Sequence, residues 1–407
     1  MKVMLLTDIP PCRNFTAGLV LDRLVGFLPK DQIAICAVVN PALNPEIPAD
    51  LDAVPKLLLK KPREAAVRVL PRKAGVLSAF PFELVQANRV QRELLPQIVK
   101  FATEQKVDAV WVVLQGQTMV RLARQVTGAL NVPLLTQVWD PFGWWLQANL
   151  IDGFTRRRLL KEFDQVIKSS ASCATASWAM SENYTNKYRV TNAPVIAGLP
   201  RELALPPATN MHDGDEFIIA MAGQFYAQTE WECLQHALNS CNWKIAGKRI
   251  RVRVMGGAFK VFTQSPSNFE YLGWQSQDDT IRLLSESDLL YMPYWFSGEY
   301  HEESSNSFPS KLVTYFASGR PVFCHAPGYA SPAKYIKDNE AGFLCESLDT
   351  AAIVSQLEKA VKDTEAYGRF AGNGHACFLK DFTLERMKES FLAFLGTHTK
   401  ASLGLSS

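Results

Sequence analysis

Residues 307–322, SFPSKLVTYFASGRPV, hold the densest chemistry in this sequence of 407 residues. Ser307, Phe308, Pro309 and Ser310 are expected to form a turn, and a helix is expected to open at Lys311. The first amides of a helix lack intrahelical partners. Exposed N–H groups beside a hydroxyl and an ammonium therefore suit an anion such as a diphosphate. A capped helix with a surface lysine fits the same residues. A second group lies in residues 136–145, TQVWDPFGWW, where Asp140 follows an apolar run and precedes Pro141. A carboxylate so placed sits at the carboxyl edge of a strand, where it can serve a site or close an Asx turn. Trp139, Trp144 and Trp145 either pack as core or offer a flat face to a ligand. Glu299, His301, Glu302 and Glu303 resemble metal ligands, but an acidic loop of this kind reads as solvated, and no metal is expected. None of the six histidines sits in a nucleophile–base arrangement, which argues against a hydrolase triad.

The elements that must position these residues alternate along the chain. Short Val/Ile/Leu-rich runs predict strands over residues 2–7, 32–39, 109–114, 133–138, 173–176 and 194–196, with helices over 19–28, 89–104, 119–130 and 154–168. Residues 199–215 break the rhythm with three prolines and Asp213–Gly214, and read as a linker. The alternation then restarts, with strands over 217–221, 251–255, 269–272, 289–292, 321–324 and 342–345. Helices are expected over 231–239, 277–285, 311–318, 330–338, 350–362 and 383–395, and the tail from Thr397 is expected to fray. This is the pattern of an α/β chain with two doubly wound, Rossmann-like domains facing a cleft. The expected division is a first domain over 1–200, a linker over 201–215, a second domain over 216–382, and a last helix over 383–407 returning to the first domain.

Composition agrees with two packed cores: 47% of residues are hydrophobic and 20% charged, with 23 Gly and 23 Pro. No apolar run reaches the ~20 residues of a membrane span. The opening MKVMLLTDIPPC reads as a buried strand rather than a signal peptide. Eight scattered cysteines form no CxxC pair, which points to reduced core thiols and a cytoplasmic protein. Charge is uneven. Residues 1–200 carry 24 basic against 16 acidic side chains, a net +8, and the remainder carries 19 against 24, a net −5. The halves are thus expected to face different partners, though no nucleic-acid motif accompanies the basic half. Residues 56–73, KLLLKKPREAAVRVLPRK, carry seven basic residues and fit either an anionic membrane surface or a solvated loop and helix.

SFPSKLVTYFASGRPV resembles the donor-binding segment of GT-B fold glycosyltransferases, most of all the retaining family 4, or group 1, type and its branch with "SFPSKL.EYLA.GRPV". Other stretches fall in that family's order. SCATASWAMSE at 172–182 is similar to "vitvSeam", and IIAMAGQ at 218–224 to the strand and glycine opening the second domain. VMGG at 254–257 is similar to "ivGdG", and residues 270–274 and 281–293 to "flGw" and "ll..aDlllmP". One motif departs. Aligned on the family's Glu-x7-Glu pair, Asn306 and Thr314 replace the two acids, and Gln224 and Thr229 replace its Arg and Lys.

The resemblance implies a transferase moving a sugar from a nucleotide-diphosphate donor to a saccharide or lipid-linked acceptor, with retention and without a bound metal or other cofactor. It implies cell-surface glycan synthesis at the cytoplasmic face of a membrane. Gly223, Gln224, Gly256 and Gly257 would let the donor approach the backbone, and Gly273 and Trp274 would lie near the base. Ser307, Phe308, Pro309, Ser310 and Lys311 would hold the phosphates, Thr314 the ribose and Asn306 the donor sugar. Asp140 would take the acceptor hydroxyl proton or stabilise an oxocarbenium-like transition state, with Gly18, Trp139 and Trp144 on the acceptor side. The replaced acids leave open a catalytically silent GT-B scaffold partner. A nucleotide-sugar epimerase on the same fold is the other alternative, though it would need a cluster of carboxylates and a His that the sequence does not show.

Overall fold

The computed structural model describes residues 1–64, 75–257 and 265–402. They form two compact units, Met1–Val195 with Lys388–Ser407, and Ile196–Met387. Each is built on a parallel sheet.

The first sheet holds β1 (Val3–Thr7), β2 (Ile33–Val39), β3 (Lys56–Lys60), β4 (Ala109–Val113), β5 (Leu134–Val138), β6 (Ser172–Thr175) and β7 (Asn192–Pro194). Its order is β3-β2-β1-β4-β5-β6-β7, all neighbours parallel. The strands β1, β4 and β5 are buried along their whole length; β1 and β4 accordingly read as near-continuous apolar runs rather than alternating ones, while β5 also buries Thr136 and Gln137. Between them run α1 (Thr16–Gly26), α2 (Gly75–Arg89), α3 (Leu95–Glu104), α4 (Gly116–Leu130), α5 (Phe142–Ala148), α6 (Gly153–Lys168) and α7 (Trp178–Tyr188). Alternate residues such as Met4, Leu6, Val110 and Val112 enter one core with Ile98, Leu122 and Phe163. On the opposite face Trp111 packs on Phe391, ring centroids 4.8 Å apart.

The second sheet holds β8 (Glu216–Gly223), β9 (Lys244–Ile245), β10 (Lys248–Gly256), β11 (Phe269–Gly273), β12 (Leu289–Pro293), β13 (Val322–His325) and β14 (Gly342–Cys345). Its main path is β11-β10-β8-β12-β13-β14, with β9 antiparallel beside β10. Its helices are α8 (Gln228–Ser240), α9 (Gln277–Ser285), α10 (His301–Asn306), α11 (Ser310–Ala317), α12 (Ser331–Asp338), α13 (Thr350–Lys362) and α14 (Thr364–Asp381). The last described helix is α15 (Leu384–Ser402), whose residues from Lys388 group with the first unit. There Ser172 Oγ donates to the Phe394 carbonyl at 3.0 Å. No helix among the described residues is long and apolar enough to cross a membrane.

Three expectations change. Residues 56–60, read as part of a membrane-facing or solvated loop and helix, form β3, whose Leu57–Leu59 pair with Cys36–Val38. The rest of that basic stretch, 65–73, lies outside the described residues. The stretch expected as a linker is bonded into the second unit: Leu205 N–H donates to Ala317 at 2.8 Å and Ala208 N–H to Gly319 at 2.8 Å. Four helices, α2, α5, α10 and α14, were not expected.

One buried histidine makes the second core acid-sensitive. His325 is fully buried, with one ring nitrogen 2.8 Å from the Tyr291 hydroxyl and the other 2.8 Å from the Ser347 carbonyl. Burial pushes its pKa down from 6.5 to about 4. Between those values the unfolded chain binds the proton that the folded chain excludes, so stability falls as pH drops through 6.5 towards 4. At pH 5 the loss is about 2 kcal/mol relative to pH 7. Urea unfolding at the two pH values should show it, and His325→Gln should shrink the difference.

Candidate active site

In each sheet the strand order reverses once, between β1 and β4 and between β8 and β12. Ligands of doubly wound sheets bind outside the carboxyl ends of the strands at this point.

In the second unit, β8 and β10 end side by side on Gly223 and Gly256, which are direct register partners. Gly256 has φ +124°, and a Cβ there would lie 2.4 Å from the Gly223 carbonyl oxygen. Only glycine permits this approach, so Gly256→Ala should cost about 1–3 kcal/mol. A thermal melt should read that as a fall of several degrees. Gly223, with φ +96°, turns the chain into Gln224 beside Lys311: a Cβ on it would lie 3.9 Å from Lys311 Cε.

Lys311 sits in the first turn of α11, whose N-cap is Pro309. Its Nζ donates to the Gln224 carbonyl at 3.1 Å and lies 4.1 Å from the centroid of the Tyr226 ring. Burial lowers its pKa from 10.5 to about 7. Tyr315, one turn further along α11, anchors the helix to the sheet. Its hydroxyl accepts from Ala222 N–H at 2.9 Å and lies 3.2 Å from the Tyr291 carbonyl. The sequence thus places Lys311 and Tyr315 on one helix face, one gripping the strand end and the other reaching past it.

The turn before α11 is less open than expected. Ser307 N–H donates to the Glu303 carbonyl at 2.8 Å, so that amide is not available to an anion. The Ser307 hydroxyl, by contrast, is buried with no hydrogen-bond partner among the described residues. Phe308 and Pro309 are buried and Ser310 is exposed. Asn306 is 8% exposed, and its amide nitrogen donates to the Glu302 carbonyl at 2.8 Å. Thr314 accepts from Gln277 Nε2 at 3.3 Å. Gly257 follows β10 on the surface, and Gly273 closes β11 with φ +65°. Trp274 is 83% exposed.

Sequence reasoning missed an aromatic wall in this unit. Tyr226 lies 4.8 Å from Trp295, which stacks on Tyr300 at 5.2 Å, all between ring centroids. Glu230 fixes the same loop by accepting from Phe296 N–H at 2.7 Å. These residues share no spacing in sequence; only the sheet joins them.

In the first unit Asp140 is half-buried, two residues past the end of β5 and directly before the Pro141 N-cap of α5. Trp139 and Trp144 are half-buried. Gly18 is buried, and a Cβ there would lie 2.1 Å from Cys12 Sγ, so its small size serves packing. A buried trio was also missed. Asp8, directly after β1, accepts from Lys61 Nζ at 2.9 Å, and Lys61 bridges to Glu64 at 3.0 Å. Glu64 in turn accepts from Thr118 N–H at 2.7 Å, capping α4. Burial holds the Asp8 pKa above its usual range despite Lys61.

Residues 212–376 match the profile of the family described as Glycosyl transferases group 1. No curated protein matches the sequence. Among solved structures, the chain is similar to Anabaena Alr3699/HepE in complex with UDP-glucose, at 13% identity and a TM-score of 0.63, covering 98% of this chain and 100% of that one. It is also similar to sucrose-phosphate synthase from Thermosynechococcus elongatus (13% identity, TM-score 0.67, 99% and 100% covered). The lipopolysaccharide outer core galactosyltransferase WaaB is a third such structure, at 10% identity and a TM-score of 0.65, with 98% and 100% covered. At these identities the likeness shows the fold alone: two Rossmann-like units of the GT-B type.

Proposed function

From a second unit that matches the group 1 glycosyl transferases, we propose that this chain moves a hexose from a nucleoside-diphosphate sugar to a saccharide or lipid-linked acceptor. The observation that carries this reading is the convergence of Lys311 Nζ on the Gly223–Gln224 backbone, 3.1 Å from the Gln224 carbonyl. An ammonium at the carboxyl end of β8, beside two backbone turns without side chains, is what a diphosphate needs. Gly256, Gly257, Ser307 and Ser310 lie on the neighbouring strand end and on the approach to α11, and take the remaining phosphate and ribose contacts with Thr314. Gly273 and the exposed Trp274 receive the base. Asn306, whose amide nitrogen donates to the Glu302 carbonyl, contacts the donor sugar, as the resemblance implies.

In the first unit, Asp140 serves the reacting centre, with Trp139 and Trp144 beside the acceptor. Retention of anomeric configuration, a role in cell-surface glycan synthesis and a peripheral position at the cytoplasmic face of a membrane follow from the resemblance. No metal is needed in this scheme, because Lys311 and the strand-end amides meet the charge. UDP and UDP-glucose were bound by the HepE protein, so UDP-glucose is the first donor to try.

One observation favours a second reading, a silent scaffold: both positions of the family's acid pair are neutral, and Thr314 is engaged by Gln277. A panel of nucleotide sugars decides between them. Donor hydrolysis or transfer above background with at least one donor is the expected result. Tight nucleotide binding without turnover of any donor would establish the scaffold instead.

A further inference from the structure

The first unit contains a cavity of about 680 Å³, in the range of small-molecule sites of about 300–1,000 Å³. It opens where β2 and β3 end. Lys60, Lys61 and Arg63 line one side, and Arg89 with Trp145 belongs to the rest of the wall. The charges here are not equivalent. Lys61 is held between Asp8 and Glu64, and Arg89 is paired with Glu93 at 3.3 Å. Lys60 and Arg63 are exposed and make no ion pair or hydrogen bond among the described residues. Two cations on one cavity wall thus have no carboxylate partner among the described residues. Trp145 adds a flat apolar surface, stacked on Phe142 with ring centroids 6.1 Å apart and the planes 10° from parallel.

We propose that this cavity binds a phosphorylated saccharide, with Lys60 and Arg63 on the phosphoryl group and Trp145 against the sugar ring. The proposal rests on the transferase reading and narrows its acceptor. The chemistry follows from the parts. An aromatic face with polar neighbours suits a pyranose, whose C–H face is apolar. A neutral sugar would leave Lys60 and Arg63 without a counterion, whereas a phosphoryl group would meet a bidentate guanidinium and a point-charge ammonium. Lys61 contributes direction: two of its three N–H groups are taken by Asp8 and Glu64, leaving the third for a ligand oxygen. This cavity also gives the positive first half of the sequence an anionic partner.

The phosphoryl group has two sources, a free sugar phosphate or a lipid phosphate carrying a sugar. Calorimetry on the full chain, with UDP present, should compare glucose, mannose and galactose 6-phosphates with the parent hexoses and with farnesyl phosphoglucose. At least one phosphorylated probe should bind tenfold or more tighter than its neutral sugar. Whichever class binds tighter identifies the source. The double variant Lys60→Ala, Arg63→Ala, both on exposed side chains, should abolish that preference while the thermal midpoint stays unchanged. Equal binding of phosphorylated and neutral probes, or a preference that survives in the double variant, would overturn the proposal. The UDP affinity read from the same samples tests the donor reading separately, so the two failures are distinguishable.

Discussion

Asp140→Asn is expected to leave the fold and donor binding intact and to slow sugar transfer by about 10²- to 10⁴-fold, the usual cost of losing a general base. The argument starts from β5, five residues buried without exception, which delivers the chain to the carboxyl edge of the first sheet. Trp139 and Asp140 follow, and Pro141 then starts α5 with its φ at −55°. The carboxylate is therefore held by a buried strand on one side and a helix on the other. Asn keeps the shape and the turn-forming ability of Asp, because both close Asx turns, but its amide cannot take a proton. A turn residue and a catalytic base thus give opposite outcomes for one substitution. Transfer assays under saturating donor, with nucleotide affinity and a melt as controls, read the difference. Near-wild-type transfer would remove Asp140 from the mechanism and direct attention to Asp8 or Glu303, both buried carboxylates.

Much of the fold was legible because parallel strands covered on both faces leave unbroken apolar runs. What escaped did so for identifiable reasons. The strand β3, KLLLK, sits at the sheet edge with lysine at both ends, two of its five residues exposed and the rest half-buried, so its composition reads as surface. The helix α14 carries Gly368, Gly372 and Gly374, residues that lower any helical expectation. Two of them are packing devices: a Cβ on Gly368 would lie 2.9 Å from the Thr209 carbonyl oxygen, and one on Gly374 would lie 2.8 Å from the Phe316 ring. The first of these contacts also shows how the expected linker comes to pack on the second unit, since the backbone of 199–215 is laid against helices and strand ends that no local pattern can announce. At the candidate site, glycines and Lys311 carry local signals of turn and helix start. Tyr226, Trp295 and the Asp8–Lys61–Glu64 trio do not, because their meaning comes from strands distant in sequence ending at one edge.

Lys311 is where local signal and tertiary placement meet, and it yields the second large effect. Lys311→Ala should weaken nucleotide-sugar binding about ten- to a hundredfold, the worth of a charge-assisted phosphate contact, with little change in stability. The pH dependence is more specific. With its pKa lowered to about 7, the free ammonium is largely neutral at pH 8. A bound diphosphate favours the charged form and raises that pKa again. Binding above pH 7 must then take up a proton, and affinity should fall by up to about tenfold per pH unit until the bound-state pKa is reached. Below pH 7 the lysine is already charged and the dependence should vanish. A nucleotide sugar is the right probe, because its diphosphate is a diester with no titration near neutrality. Calorimetry in buffers of different ionisation enthalpy counts the proton directly. In Lys311→Arg the guanidinium stays charged throughout, so the slope should disappear even if affinity changes. A slope that persists in Lys311→Arg, or uniform affinity across pH 6 to 9 in the wild type, would place the diphosphate away from Lys311.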